Sequence, residues 1–264
     1  MKQRIIRFLA LLILLPALAC STGIPGITVT GSGNIISQTY DVSDFNRVTL
    51  AGIGDVYITQ GETESLTVET DDNIFDHLDI RVQAGELILG YKLNAILVPS
   101  ETILYHLTVK DINAITLGGS GNIYSEPLQS DDLKVTVAGS GNVEVKGLDG
   151  TSLSVNLPGS GKISIKQIAV TSVDISINGS GDIELAGKAD QQTISINGSG
   201  KYIAGDLETD SANISISGSG NLTVWVNEEL EVRVNGSGDV SYYGRPAVNQ
   251  TGGGSGNVTS LGEK

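Results

Sequence analysis

The chain of 264 residues carries a formal charge of −14 and contains 34 glycines, one cysteine and only 5% aromatic residues. An acidic surface repels phosphate backbones, which excludes nucleic acid as a partner and disfavours an anionic membrane surface. A single cysteine forms no internal disulfide, so packing and hydrogen bonds alone must stabilise the fold.

The first 19 residues predict an export signal. Lys2, Arg4 and Arg7 precede the apolar run 8–15, and small residues follow it. The run is too short to cross a bilayer of about 30 Å as a helix. Removing residues 1–19 takes away three cations and no acids, so the charge of −14 becomes −17.

Cys20 lies directly after Ala19, where the lipobox of a bacterial lipoprotein has its modified cysteine. An ordinary cleavage site is the alternative, because Ala17 stands where the lipobox most often has Leu. We expect Cys20 to be lipidated and residues 20–30 to form a linker. The membrane, reached through this lipid, is then one partner.

Internal repetition is the strongest signal in the sequence. From Gly119 onward the tripeptide Gly-Ser-Gly returns after 20, 20, 20, 19, 20, 18 and 18 residues. An earlier copy begins at Gly31, and Gly52-Ile53-Gly54 holds the same place in a variant form. The tripeptides from Gly119 onward begin at Gly119, Gly139, Gly159, Gly179, Gly198, Gly218, Gly236 and Gly254.

Each repeat has an alternating apolar segment on both sides of the tripeptide. Val135 and Val137 precede one copy, and Val143 and Val145 follow it. The pattern recurs as Val173, Ile175 and Ile177, with Ile183 and Leu185. Alternation of β-branched residues with polar ones indicates strands with one buried face.

Two all-β architectures could use such a unit. A strand, a short glycine loop and a second strand are typical of a hairpin, so an antiparallel meander is the alternative. The near-constant step favours a parallel β-solenoid, in which equivalent residues stack at about 4.8 Å. Glycine suits its corners because it adopts positive φ freely and because a side chain there would crowd the neighbouring coil.

Several segments resemble the head GIN domain of auto-transporter adhesins. They are Val48 to Gly61 (VTLAGIGDVYITQG), Leu66 to Ile74 (LTVETDDNI), Gly85 to Leu89 (GELIL) and Gly118 to Ile123 (GGSGNI). The similarity covers most of the chain after about residue 30. The resemblance implies a right-handed parallel β-helix on an exported protein, often a lipoprotein.

We therefore predict an N-terminal part, residues 31–118, and a repeat solenoid, residues 119–264. The segment from about Gly61 to Ile115 interrupts the repeat and is expected to cap the N-terminal end. Within it, residues 71–78 predict a capped helical turn, and residues 80–89 predict a hairpin.

A polysaccharide lyase or glycoside hydrolase is the alternative function. Asp55, Asp182 and Asp239 follow their turns directly but belong to coils that are not neighbours. Glu144 and Glu184 are equivalent but two coils apart, about 10 Å, which only an inverting glycosidase tolerates. Catalysis is disfavoured, and no cofactor or metal is expected.

The remaining chemically notable residues carry weak signals. His77 and His106 have no second ligand at metal-binding spacing and are interpreted as solvent-facing structural residues. Trp225 alternates with buried valines, so we expect its indole to point outward, where it could contact a sugar. The serines of the tripeptides, such as Ser120, have no partnering histidine and are turn residues.

The position after each Gly-Ser-Gly tests the stacking register. A parallel solenoid places Lys162, Asp182 and Lys201 in one ladder of alternating charge, whereas a meander separates them. The sequence thus predicts a lipid-anchored, acidic β-solenoid at the cell surface, acting as an adhesin-like or structural module that binds a glycan or a surface protein. A passive envelope spacer is the second alternative.

Overall fold

The computed structural model describes residues 27–264. The expected signal peptide and Cys20 lie outside the described residues. Between Ile27 and Lys264 no helix has the length and hydrophobicity that a membrane crossing requires.

The described chain is built almost entirely from β-strands. The N-terminal part contains β1 (Ile27–Thr30), β2 (Ile35–Tyr40), β3 (Arg47–Leu50), β4 (Asp55–Gln60), β5 (Ser65–Asp71), a 3-10 turn (Phe75–His77), β6 (Leu78–Gln83), β7 (Glu86–Tyr91), β8 (Ala95–Val98), β9 (Leu104–Val109) and β10 (Ala114–Leu117). The repeats contain β11 (Asn122–Ser125), β12 (Leu128–Gln129), β13 (Asp132–Val137), β14 (Asn142–Val145), β15 (Leu148–Asp149), β16 (Ser152–Leu157), β17 (Lys162–Ile177), β18 (Asp182–Ile196), β19 (Lys201–Ile216), β20 (Leu222–Val234), β21 (Val240–Tyr243), β22 (Ala247–Thr251) and β23 (Val258–Gly262).

The repeats form a parallel β-solenoid whose coils have three faces. Strands β10, β13 and β16 stack in parallel on the first face, β11 and β14 on the second, and β12 and β15 on the third. Strand β17 runs continuously through the second and third faces into the next coil. Partners such as Val135 and Val155 are one repeat apart, so the solenoid is confirmed and the meander is wrong for this region.

The predicted alternation fills the interior of the coils. Val135, Val137, Val143 and Val145 are buried, whereas Glu144 between the last two is exposed. The same pattern recurs in each repeat, so one continuous apolar core runs along the stack. Burial of apolar side chains at this regular spacing is the main force that holds the coils together.

Glycine is required at the Gly-Ser-Gly corners by the close approach of backbones. A Cβ at Gly139 would lie 1.8 Å from the carbonyl oxygen of Gly119, and one at Gly141 would lie 1.7 Å from that of Gly121. The expectation that a side chain would crowd a neighbouring coil is confirmed. The expectation of positive φ is wrong, because the tripeptides from Gly119 onward contain none.

The N-terminal end of the solenoid contains an additional coil that comes from the interrupting segment. Strand β7 lies under β3, and β9 lies under β4, both in parallel, while β10 and β11 stack on the other side of β3 and β4. Antiparallel strands β6, β5 and β2 then close this end. The predicted hairpin is confirmed as β6 and β7, but the segment contributes more than a cap.

The predicted helical turn is present, but its capping was predicted wrongly. The 3-10 turn begins after Ile74, and no side chain caps it. Asp71 instead accepts hydrogen bonds from the N–H of Gly33 and from both the N–H and the hydroxyl of Ser100. Asn73 donates to the carbonyl of Thr30. These contacts tie the first strand to the end of the solenoid.

Candidate functional site

The residues after the Gly-Ser-Gly corners form a ladder of hydrogen bonds. Lys162 pairs in register with Asp182, and Asp182 with Lys201. The ammonium of Lys162, however, turns to Glu184, with Nζ to Oε2 at 2.7 Å. The ladder is therefore held by side-chain oxygens that accept backbone N–H groups rather than by alternating ion pairs.

In this corner ladder, the side-chain oxygen of an Asn or Asp accepts a hydrogen bond from the backbone N–H of the equivalent residue in the next coil. The nitrogen-to-oxygen distances are 2.8 to 3.2 Å. The acceptor and donor residues are Asp55 and Asn122, Asn122 and Asn142, Asn142 and Lys162, Asp182 and Lys201, Asn221 and Asp239, and Asp239 and Asn257. Lysine offers no such acceptor, and the N–H of Asp182 bonds to the carbonyl of Gly161 instead. The turn aspartates are therefore engaged in holding coils together.

A row of three aromatic side chains lies on the second face near the N-terminal end. The ring of Tyr57 stacks on His106, with centroids 5.6 Å apart and planes 17° apart, and on Tyr124, at 5.3 Å and 21°. Their strands β9, β4 and β11 are neighbours in register, and all three positions point outward. Tyr57 is 40% exposed. We call these residues the aromatic row.

The row ends at Tyr124, where the coils continue with shorter or charged side chains. The next residues in register are Glu144, Ser164 and Glu184. Because Ser164 is short, a hollow of about 280 Å³ opens between the ring of Tyr124 and the ion pair of Lys162 with Glu184. We call this space the Tyr124 hollow.

A second hollow of about 290 Å³ lies on the other side of the Tyr124 ring. It is lined by Tyr57, Thr59 and Glu144, and by Glu126 and Lys146, which form an ion pair with Nζ to Oε1 at 2.5 Å. The ring of Tyr124 is thus a wall shared by two hollows. Both spaces combine an apolar ring with donors and acceptors held by ion pairs, the mixture that fixes small polar ligands.

Electrostatics keep the groups around the Tyr124 hollow in defined protonation states. The hydrogen bond from Lys162 holds the pKa of Glu184 below its usual range, and the same bond raises the pKa of Lys162. Burial, with the nearby Asp55, raises the pKa of the Tyr124 phenol. At neutral pH the hollow therefore offers a carboxylate, an ammonium and a neutral phenol.

Trp225 lies on β20, several coils away from the aromatic row. Its indole is half-buried, and Nε1–H donates to Asn227 at 3.1 Å. Nζ of Lys264 stands 5.6 Å from the centre of the ring and 5.1 Å from that of Tyr243. The C-terminal lysine thus partly covers the indole, and a ligand contact at Trp225 stays a prediction.

The acids considered for catalysis are not brought together. Ser164 separates Glu144 from Glu184, which at strand spacing leaves the carboxylates about 10 Å apart. His77 is half-buried in the 3-10 turn, far in sequence from the exposed His106. Across residues 27–264, no group of three or more His, Cys, Asp and Glu side chains is arranged to hold a metal ion.

Sequence reasoning missed the aromatic row, although part of it was recoverable. Tyr57 follows Asp55 by two residues, and Tyr124 follows Asn122 by two, so the equivalence of the corners already places the two rings together. His106 carries no such signal because its strand belongs to the interrupting segment. His106 lies beside Tyr57 because the interrupting segment forms an additional coil, and the spacing of the repeats does not predict that coil.

The comparisons with known proteins agree with this architecture. The family described as "Putative auto-transporter adhesin, head GIN domain" matches residues 44–166 and 147–246. None of the curated proteins matches the chain.

Two crystal structures with the same fold come from Parabacteroides. A "putative lipid binding protein" from Parabacteroides distasonis is 28% identical, with a TM-score of 0.85 over 89% of this chain and 100% of that one. A "putative adhesin" from Parabacteroides merdae is 26% identical, with a TM-score of 0.76 over 89% of this chain and 99% of that one. Because its family match spans most of the solenoid, the chain belongs to the head GIN domain family.

Proposed function

We propose that this protein is a lipid-anchored, non-catalytic binding module of the cell envelope that holds a neutral glycan on the second face. The observation that carries the proposal is the aromatic row, which ends in a ring that borders two hollows with charged groups in their walls. An adhesin-like family fits a binding task at the cell surface.

The chemistry of the hollows favours a sugar over other small ligands. The C–H face of a pyranose packs on an aromatic ring, and its hydroxyls pair with carboxylates and ammonium groups such as those of Glu144 and Lys162. A space of about 280 Å³ is slightly smaller than the usual pocket for a drug-sized molecule, which suits one sugar ring.

The charge of the surface selects a neutral glycan. Lys146 and Lys162 are already paired with Glu126 and Glu184, while the charge of Glu144 is balanced by that of Lys166. An anionic polysaccharide would find no excess of cations at the hollows and would meet net negative charge on the protein as a whole. Neutral hexose and N-acetylhexosamine chains carry no such penalty.

The glycan proposal is tested by Tyr124→Ser on the purified soluble domain. This change gives the coil the residue type that Ser164 has at the same position two coils later, so the fold should persist. After an array of neutral glycans identifies a ligand, we expect titration calorimetry to show about fivefold weaker binding, since one stacked ring contributes roughly 1 kcal/mol.

Tyr91→Ser is the matched control, because Tyr91 is 37% exposed but lies outside the aromatic row. Unchanged affinity in Tyr124→Ser would contradict the proposed site, and loss of affinity in Trp225→Ser alone would move it to the C-terminal coils. An array without any retained glycan would favour the passive spacer. Release of reducing ends from a retained glycan, abolished by Glu144→Gln, would make the face catalytic.

The lipid anchor is tested by Cys20→Ser. We expect the parent protein to carry a lipid mass and to enter the detergent phase, whereas the variant stays in the aqueous phase because it lacks the acceptor thiol. Equal partitioning of the two proteins would show that the anchor proposal is wrong.

A further inference from the structure

The connection between β7 and β9 leaves the solenoid as a small separate sheet. In a regular coil, residues 118–121 link the first face to the second through the Gly-Ser-Gly corner. In the lowest coil, residues 92–103 make the same link, and β8 within them pairs in parallel with β1. Residues 99–103 lie against the corner of the coil above. The β1–β8 sheet therefore projects from the corner edge at the N-terminal end.

This sheet and the turn that leads into it expose an unusual amount of apolar surface. Nine large apolar side chains are exposed among the described residues, and five of them lie in or beside this sheet. They are Ile27 (62% exposed), Tyr91, the fully exposed Leu93, Ile96 (55%) and Val98 (48%). A concentration of this kind marks a contact surface rather than scattered exposure.

The pairing of the strands gathers these side chains at one small sheet, although Ile27, which pairs with Ala95, lies on its inner side at an exposed edge. Ile96 and Val98 stand on the same side of β8, opposite Thr28 and Thr30. The N–H of Ile27 donates to the carbonyl of Asn94 at 2.7 Å, which brings Ile27 beside the turn that carries Leu93. We call the exposed apolar side chains of residues 91–98, together with Ile27 at the edge of the sheet, the apolar patch.

The two segments that carry the apolar patch contain no acid, although the chain has thirty of them and Asp71 and Asp72 contact the turn that follows β1. No charged residue occurs from Cys20 to Tyr40, and Lys92 is the single charged residue in 91–100. A cation beside an apolar surface suits the boundary between lipid tails and headgroups. The uncharged stretches therefore lower the repulsion that the acidic body would otherwise bring to a membrane.

The patch is mounted rigidly on the solenoid. Asn73 donates to the carbonyl of Thr30 at 2.8 Å, and Gly31 donates to the carbonyl of Val98 at 2.9 Å. Val29 and Leu97, on the inner side of the sheet, pack against the core. A contact made by the patch would therefore fix the orientation of the whole solenoid.

The position of Cys20 identifies what covers the patch. Seven residue steps separate Cys20 from Ile27, and an extended chain spans at most about 3.6 Å per residue, so the patch lies within roughly 25 Å of the modified cysteine. We propose that the apolar patch rests on the lipid bilayer, so that the solenoid stands with its N-terminal end on the membrane. This rests on the lipid anchor proposed above.

The test uses single-tryptophan variants of the full lipidated protein. In a Trp225→Phe background, Leu93→Trp reports on the patch, and Leu261→Trp, at an exposed position on the last strand, is the matched control. The proteins are bound to phosphatidylcholine vesicles with plain or brominated acyl chains, because bromine quenches a nearby indole. We expect a blue shift and a loss of emission in brominated vesicles for Leu93→Trp only.

A further variant makes the result specific to the patch. Adding Ile96→Thr and Val98→Thr copies the residues across the sheet, Thr28 and Thr30, and should reduce the quenching of Leu93→Trp. Vesicle-bound Leu93→Trp that is quenched no more than Leu261→Trp would overturn the proposal. A blue shift without vesicles, together with a doubled mass in light scattering, would also overturn it by assigning the patch to a second copy.

A further experiment distinguishes an incorrect lipid-anchor proposal from an incorrect apolar-patch proposal. If the mass of the protein shows no added lipid, Cys20 is coupled in vitro to a maleimide lipid, and the same quenching is measured. Quenching of Leu93→Trp in the coupled protein supports the patch although the natural anchor is absent. Its absence there refutes the patch on its own.

Discussion

The same tripeptide is held in two different ways in the N-terminal part and in the repeats. From Gly119 onward, Gly-Ser-Gly packs backbone against backbone, and its glycines are needed because no Cβ fits. Gly31-Ser32-Gly33 stacks on no coil: Gly33 has a φ of +82°, and Asp71 and Asp72 hold the turn. The structural role of the motif therefore depends on the residues that surround it. The number of copies in the sequence does not show which copies have the same role.

The largest effect is expected from a single methyl group in the stack. In Gly179→Ala the new Cβ would lie 1.9 Å from the carbonyl oxygen of Gly159 and 2.6 Å from that of Pro158, both backbone atoms. Two coils must move apart, and we expect a loss of about 3 kcal/mol in the free energy of unfolding by urea.

Gly253→Ala is the matched control for this change, since nothing lies within 4 Å of its Cβ position. We expect that variant to stay within about 0.5 kcal/mol of the parent. Equal stability of the two variants would show that the corners are looser than their stacking implies.

A smaller, local effect on stability is expected in the N-terminal part of the molecule, at Asp71. Asp71 is buried, and the Ser100 hydroxyl, with the Ser100 and Gly33 amides, holds its pKa below the ordinary value of 3.8. A lowered pKa stabilises the fold above that value, and the contribution is lost as the pH falls through the folded-state pKa. We therefore expect residues 27–34 to open only as the pH falls well below 3.8, while the repeats stay closed.

Hydrogen exchange at residues 27–34 and 191–196 measures the difference between the two regions. Asp71→Asn should raise exchange in the first range at neutral pH, because its amide cannot accept all three hydrogen bonds, whereas Asp174→Asn on an exposed strand position should not. Simultaneous opening of both ranges in acid would mean that the two regions form one cooperative unit.

The smallest effect is expected from charge reversal in the corner ladder. Asp182→Lys removes the acceptor for the N–H of Lys201 and places a cation between Lys162 and Lys201. Asp239→Lys also removes an acceptor but has Asn221 and Asn257 as neighbours. We expect Asp182→Lys to be less stable than Asp239→Lys by about 0.5 kcal/mol, and added salt to narrow the difference.

Asp182→Asn keeps the oxygen that accepts from Lys201, so it separates the hydrogen bond from the charge. We expect its unfolding midpoint to match that of the parent. Identical midpoints for Asp182→Lys and Asp239→Lys at low salt would show that charges one coil apart do not interact measurably here.

The regular half of the molecule was predictable because every coil has the same surroundings. Alternation identified Val135 and Val143 as core residues, and the constant step gave the parallel register of Lys162 with Asp182. Two physical details were not predictable from spacing. The corner glycines are needed because the backbones of neighbouring coils approach closely, not because of positive φ. Lys162 forms its ion pair with Glu184 and not with Asp182, its partner in register.

The irregular half could be located in the sequence but not built from it. Interruption of the repeat placed an insertion near residue 61, and alternation gave the β6–β7 hairpin. No spacing indicated that β7 and β9 would form a coil beneath β3 and β4, because that coil precedes them in space and follows them in sequence. The place of His106 in the aromatic row depended on this reversal.

The reversal also sets the order in which the chain can assemble from its N-terminal end. Strands β3 and β4 cannot pair with both β7 and β9 until the chain has been synthesised as far as residue 109. After that point, the strands of each repeat can pair directly with the strands of the preceding coil, which has already formed. We expect residues 27–110 to fold slowly as one cooperative unit, and the later coils to add to it in the direction of synthesis.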